Sequence, residues 1–149
     1  MGLNGSNMRR AAVVGCGDVS VIHAEAIEAI DGIELVAVCD TDPDRLESAT
    51  VDHGVAGYDD LREMLAEARP DVVHVTTPHH QHVQVTIDCL AAGVHVIQEK
   101  PIAHTLAEGQ RLVEAARDAT SKVGICFQNR YNVSSDEARR IVDSGLLWE

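Results

Sequence analysis

Val13-Val14-Gly15-Cys16-Gly17-Asp18-Val19-Ser20 is the stretch on which the reading of this chain turns. It begins inside a short β-type run, Arg10-Ala11-Ala12-Val13-Val14, which stops at Gly15. It ends where apolar residues take up helical spacing, from Val21 to Ile30, until Asp31-Gly32 breaks the pattern. Between them lies a G-x-G-x-x-G/A turn with serine in the third small position. Gly15 permits a tight turn, Gly17 leaves the backbone open to a pyrophosphate, and Ser20 lets the helix lie close to the sheet. The helix N-terminus then offers free N–H groups and a partial positive charge to an anion.

Working outward, Ile33 to Cys39 is a second, nearly continuous apolar run, as expected of a strand covered on both faces. Asp40 ends it. An acid at that distance from the glycine turn accepts hydrogen bonds from the ribose hydroxyls of NAD and repels the 2′-phosphate of NADP, although Arg45 is near enough for such a phosphate to recruit. Asp42-Pro43 reads as an N-cap with proline at the first helical position, opening a helix through Ala49. Gly54 to Gly57 is a candidate short strand, and Asp59 a candidate cap for a helix ending at Ala68. Val72 to Thr76 is the next strand, Val83 to Ala92 a helix stopped by Gly93, and Val94 to Ile97 a further strand. Thr105 and Glu108 match a capping box for a helix to about Ala119. Val123 to Phe127 then reads as a strand, and Ser134-Ser135-Asp136-Glu137 as a second capping box. Strands alternating with helices at these lengths predict an α/β fold of three layers with a doubly wound parallel sheet, the Rossmann arrangement.

Composition narrows the partners. The chain has 149 residues, enough for one domain with its own core. Residues 1–8 read as a loose leader and 9–149 as the single nucleotide-binding domain. Twelve basic side chains against 24 acidic ones give a net charge of −12, which repels nucleic acid and anionic lipid. Aromatic residues, at 3%, are too few for a base-stacking platform. No apolar stretch has the length of a membrane span or a signal peptide. Cys16, Cys39, Cys89 and Cys126 are far apart among apolar or small residues, so small buried thiols in a reduced, cytoplasmic protein are expected.

Two further clusters carry chemistry. Gln98-Glu99-Lys100-Pro101 follows a strand, and ligands of open α/β sheets bind outside the carboxyl ends of the strands. Lys100 in a partly desolvated cleft serves as proton donor or acceptor, or holds a carbonyl oxygen by charge, with Pro101 fixing the turn that aims it. The other reading of this tetrad is an exposed charged loop. Thr76-Thr77-Pro78-His79-His80-Gln81-His82 brings three histidines to another strand end. With no local Cys, Asp or Glu, it reads as a polar loop whose imidazoles meet ribose or substrate hydroxyls, and no metal site is expected. His23, His53, His74, His95 and His104 read as structural or solvated.

These features resemble the cofactor domain of the glucose–fructose oxidoreductase/inositol dehydrogenase (Gfo/Idh/MocA) family. The matching residues are Gly15 to Ser20 with His23, Val36 to Asp40, Tyr58-Asp59-Asp60-Leu61, and Pro70-Asp71. They continue with Thr77-Pro78 and His82, Ala92-Gly93, Glu99-Lys100-Pro101, and Gln128-Asn129-Arg130-Tyr131. The resemblance implies an NAD(P)-dependent oxidoreductase passing hydride between a sugar, cyclitol or polyol carbinol and nicotinamide C4. NAD is the expected cofactor ahead of NADP. It implies that Lys100 assists proton transfer or binds the reacting oxygen, with a cis peptide often preceding Pro101. Gln128 and Arg130 would lie near the nicotinamide. Cofactor contacts are expected from Gly15, Gly17, Asp18, Val19, Ser20, Asp40, Thr76, Thr77, Pro78, His79, His82, Glu99, Lys100 and Gln128. The chain departs from the family at His79, where asparagine is usual.

Family members continue into a second α/β domain that forms the substrate pocket, adds acid–base residues and mediates homo-oligomerisation. The expectation is therefore a truncated, cofactor-binding half without appreciable turnover. Two other readings stay open at this level: a non-catalytic dinucleotide sensor docking partners through Leu146–Trp148, and a CoA-binding Rossmann domain, against which Asp40 speaks.

Overall fold

The computed structural model describes residues 8–146. Most of the leader (residues 1–7), together with Leu147 and Trp148 of the suggested docking patch, lies outside the described residues. The elements follow in strict alternation: β1 (Arg9–Val14), α1 (Asp18–Glu28), β2 (Ile33–Cys39), α2 (Pro43–His53), β3 (Ala56–Tyr58) and α3 (Leu61–Ala68). Then come β4 (Val72–Val75), α4 (His82–Ala91), β5 (His95–Glu99), α5 (Leu106–Asp118), β6 (Val123–Cys126) and α6 (Val133–Asp143), with short 3-10 turns at His79–Gln81 and Gln128–Tyr131.

The six strands form one parallel sheet in the order β3-β2-β1-β4-β5-β6. Direction of winding reverses between β1 and β4, so the crevice above their carboxyl ends is where an open sheet of this kind accepts a ligand. β1 shows why the sheet is buried on both faces. Ala12 and Val14 point into a core built with Met64 of α3, Val73 and Val75 of β4, and Cys89 and Leu90 of α4. Ala11 and Val13 point the other way, against Ile27 of α1 and Val38 of β2. The two-residue period of a strand thus feeds both helical layers, each fully buried Val, Leu or Ile side chain contributing about 2 kcal/mol.

Local boundaries differ from the sequence expectations where a cap or a tertiary contact decides. α1 starts at Asp18, ahead of Val21, because the helix begins directly from Gly17. α2 runs past Ala49 to His53 and ends on Gly54, which is left-handed at φ 64° and so caps the helix instead of starting a strand. β3 is displaced accordingly to Ala56–Tyr58. The cap of α3 is Asp60, not Asp59: its carboxylate accepts from the Arg62 and Glu63 amides. β5 extends to Glu99, where it pairs with Cys126 of β6, so the Glu99 side chain belongs to the sheet and not to the loop. Thr105 caps α5 as expected, its hydroxyl accepting from the Glu108 amide. The second capping box does not form. α6 begins at Val133 behind Asn132 without a side-chain cap, which leaves Ser134 and Ser135 inside the helix.

Candidate functional site

The glycine turn sits at the switch point, and its two glycines answer different demands. Gly15 has φ +94°, and a Cβ there would stand 2.6 Å from the Thr77 amide nitrogen and 2.8 Å from the Thr76 carbonyl carbon. Only glycine fits, because the end of β4 packs directly on the turn. Thr76 reinforces this contact by donating from its hydroxyl to the Gly15 carbonyl at 2.6 Å. Gly17 is different. Its φ is −81°, and the only atom near an added Cβ would be the Arg45 guanidinium at 3.6 Å. The fold itself therefore makes no demand for glycine at 17.

Among the described residues no side chain caps the start of α1, which leaves its first-turn amides without a side-chain acceptor. Asp18 and Val19 are exposed there, while Ser20 is buried against the sheet and donates its hydroxyl to the Gly17 carbonyl. Asp40, at the end of β2, accepts from the Cys16 amide at 2.6 Å through one carboxylate oxygen and from the Asp42 amide at 2.9 Å through the other. The acid and the glycine turn are thus one unit.

Beside that unit lies a cleft of about 310 Å³ lined by Gly15, Asp40, Asp42, Arg45, Thr77 and Pro78 among others. Asp59 reaches it too, so three carboxylates face one guanidinium, itself 3.6 Å from Asp42. Such a wall suits hydroxyl donors and disfavours a further phosphate. The Thr77 hydroxyl is buried without a hydrogen-bond partner. An open glycine, an uncapped helix start, an acid held at the ribose position and a cleft of this size together fit a dinucleotide.

The histidine-rich loop divides its roles. His79 and His80 are exposed in the 3-10 turn. His82 is 1% exposed, and its ring nitrogens approach the Thr77 and Pro101 carbonyl oxygens at 2.9 and 3.0 Å, bolting this loop to the next. Gln98 does similar work. It accepts from the buried Thr86 hydroxyl at 2.8 Å and donates to the carbonyl of Ile102, in the loop beyond the strand, at 2.8 Å. The Lys100–Pro101 peptide between them is cis.

Lys100 emerges from that turn half exposed, its ammonium 3.6 Å from Glu99. Glu99 is buried and faces a group the sequence reading did not assemble. His23 of α1 lies 3.1 Å from the Glu99 carboxylate, and its other ring nitrogen lies 2.9 Å from Nδ1 of His74 on β4. Burial alone would raise the Glu99 carboxyl. Hydrogen bonds from His23 and Cys126, aided by the Lys100 charge, outweigh it and hold the group below its usual 4.5. Burial, then the His23 charge, pushes His74 down to about 4. Burial and the adjacent Glu99 push the Cys126 thiol up. His23 and His74 are therefore not scattered. His23 could have been suspected from Ser20, His23, Ala24 and Ile27, a single buried helical face.

Donor atoms of His23, Glu99 and Cys126 lie within 4.8 Å of one another, a composition that could hold a metal. Here the donors are spent on each other, the thiol is held protonated, and the Lys100 cation already faces the carboxylate. We read the group as a hydrogen-bonded network. Of the remaining expected residues, Gln128 and Arg130 are exposed in the second 3-10 turn. Cys39 and Cys89 are buried free thiols, while Cys16 and Cys126 are only partly covered, against the expectation that all four are buried. Among the described residues no helix is long and apolar enough to cross a membrane.

Comparison with known proteins agrees with this geometry. The chain is 33% identical over 146 residues to a D-glucoside 3-dehydrogenase of Escherichia coli strain K12, covering 97% of this chain and 42% of that protein. It is 31% identical over 144 residues to an inositol 2-dehydrogenase of Salmonella typhimurium, covering 94% and 43%. Among solved structures, the WlbA dehydrogenase from Bordetella pertussis in complex with NADH and UDP-GlcNAcA superposes with a TM-score of 0.87 at 34% identity, over 91% of this chain and 42% of that one. The scyllo-inositol dehydrogenase from Lactobacillus casei with bound NAD(H) and scyllo-inositol gives 0.80 at 28%, over 95% and 43%. The chain thus spans about two fifths of the length of these relatives. Residues 9–127 match the model of the oxidoreductase family with an NAD-binding Rossmann fold. By its glycine turn, its sheet order and this match, the chain belongs to the Gfo/Idh/MocA oxidoreductase family and is its NAD-binding Rossmann part.

Proposed function

We propose that this chain is the cofactor-binding half of an NAD-dependent dehydrogenase of sugars, cyclitols or related polyols. One observation carries the reading: Gly17 is a glycine that the fold does not require, set between an uncapped helix start and a carboxylate tied to the same turn. A bound diphosphate accounts for the missing side chain. When bound, the nicotinamide supplies a hydride acceptor. Gly15, Gly17, Asp18, Val19 and Ser20 form the phosphate cradle, and Asp40 accepts from the ribose hydroxyls. Thr76, Thr77, Pro78 and His79 wall the crevice, with His82 bracing that wall from behind. Glu99 and Lys100 stand at the reacting end with Gln128. Lys100 would hold the substrate oxygen by charge and assist movement of its proton, which an ammonium on a half-exposed strand end is suited to do.

The acidic lining at Asp40, Asp42 and Asp59 favours NAD over NADP. Residues beyond the matched length would complete the substrate pocket and any homo-oligomer interface, and the free cysteines suit a reducing cytoplasm. Calorimetric titration with NAD and NADP tests the binding claim, NAD being expected to bind more tightly. NADH formation from cyclitols and glucosides, on the full product of the gene, tests the chemistry. Absence of NAD binding to a folded chain overturns both.

A further inference from the structure

The network behind Lys100 has a wiring that the cofactor reading does not use. His23 comes from α1, His74 from β4, Glu99 from β5 and Cys126 from β6, and the first three are only 7%, 8% and 6% exposed. Nε2 of His23 faces a carboxylate, so it must donate. With His23 neutral, its Nδ1 is bare and accepts from Nδ1–H of His74. With His23 protonated, the direction reverses and a bare His74 Nδ1 accepts. In both arrangements His23 keeps Nε2–H on the carboxylate and Nδ1 paired with His74, which only changes tautomer. Glu99 is braced from several sides: His23 on one oxygen, the Lys100 amide at 3.2 Å on the other, and the Cys126 thiol nearby. The Lys100 ammonium rests on the second oxygen at 3.6 Å.

We propose that Glu99 and His23, backed by His74, are positioning residues for Lys100, holding an ionised carboxylate under its ammonium so that the side chain is restrained at the strand end. This rests on the reading of Lys100 as the residue at the reacting end. The physical reason is economy of freedom. An unrestrained lysine loses rotamer entropy when it must adopt one geometry. A buried anion that is itself fixed moves that loss from the reaction to folding.

The chain has only two lysines, Lys100 and Lys122, which makes the test direct. In protein labelled with carbon-13 lysine, the Lys100 Cε should show a higher NMR order parameter than that of the exposed Lys122. Its shift should also step where Glu99 protonates, below the ordinary carboxylate value of 4.5. Glu99→Gln should abolish the step and drop the order parameter to that of Lys122. His23→Leu should do the same, and His23→Gln, which keeps a donor toward Glu99, should restore the restraint. A Lys100 signal as mobile as Lys122 in the parent protein, or indifferent to Glu99→Gln, overturns the proposal. So does micromolar zinc binding that shifts the His23 and Glu99 signals, because the cluster is then a metal site. If His23→Leu does not fold, Glu99→Gln and His23→Gln still decide. NAD titration of the same samples is scored separately, so failure of cofactor binding strikes the functional reading while the lysine spectra judge the brace.

Discussion

Gly15 and Gly17 stand two positions apart and should fail in opposite ways. Gly15→Ala forces a Cβ against backbone atoms at 2.6 and 2.8 Å from a left-handed φ, with no flexible neighbour to give way. We expect a loss of stability of about 2 kcal/mol or more in urea unfolding. Gly17→Thr keeps a residue suited to an N-cap and meets only a movable guanidinium. Its melting temperature should stay close to the parent's while NAD affinity falls roughly 100-fold, about 2.8 kcal/mol. A variant that still binds NAD normally would remove the main support for the cradle. His74 sets a pH dependence at the same scale. The unfolded chain protonates it near 6.5, and the folded chain not until about 4. Protons therefore favour unfolding throughout that interval, and stability present above 6.5 is lost as pH falls toward 4, by about 3 kcal/mol at most. Glu99, also depressed, adds its own loss below 4.5. Melting curves from pH 7 to about pH 4.5 should fall less steeply for His74→Gln than for the parent.

Elements report how short-range chemistry sets boundaries. Asp59 and Asp60 are adjacent, equally suited by type to cap α3, and only Asp60 accepts the Arg62 and Glu63 amides, at 2.8 and 3.0 Å. Asp60→Ala should cost about 1 kcal/mol in chemical denaturation, and Asp59→Ala less than about 0.5. Equal costs would contradict the capping geometry. Asp42 does the expected work for α2, and its carboxylate also stands 3.6 Å from Arg45 at the edge of the cleft. Element ends depart from the sequence pattern at β5 and at α6. The apolar run ends at Ile97, yet pairing of Gln98 and Glu99 with Ile125 and Cys126 extends β5 by two polar residues beyond it. Ser134 and Ser135 had the type of a capping box, but α6 starts earlier, from Asn132.

At the scale of the molecule, cofactor binding and stability are linked. A ligand that binds only the folded chain stabilises it by about 2.7 kcal/mol at 100 times its dissociation constant. NAD should therefore raise the melting temperature by several degrees, and CoA at the same concentration should not. The reverse order would move the chain out of the dinucleotide class. The glycine turn, the strand alternation and the sheet type were legible in the sequence because they depend on neighbours one to four positions away. Alternation with period two, helical spacing and a cap are local properties of a polymer, and Asp40 follows the turn within one β-α-β unit. What no spacing announces is which distant side chains meet. Winding of the sheet brings His23 to His74 and Glu99 across 51 and 76 positions, and seats the Thr76-Thr77 backbone on Gly15. Burial then decides their protonation, since removal from water, set by the whole packed fold, is what drives His74 down.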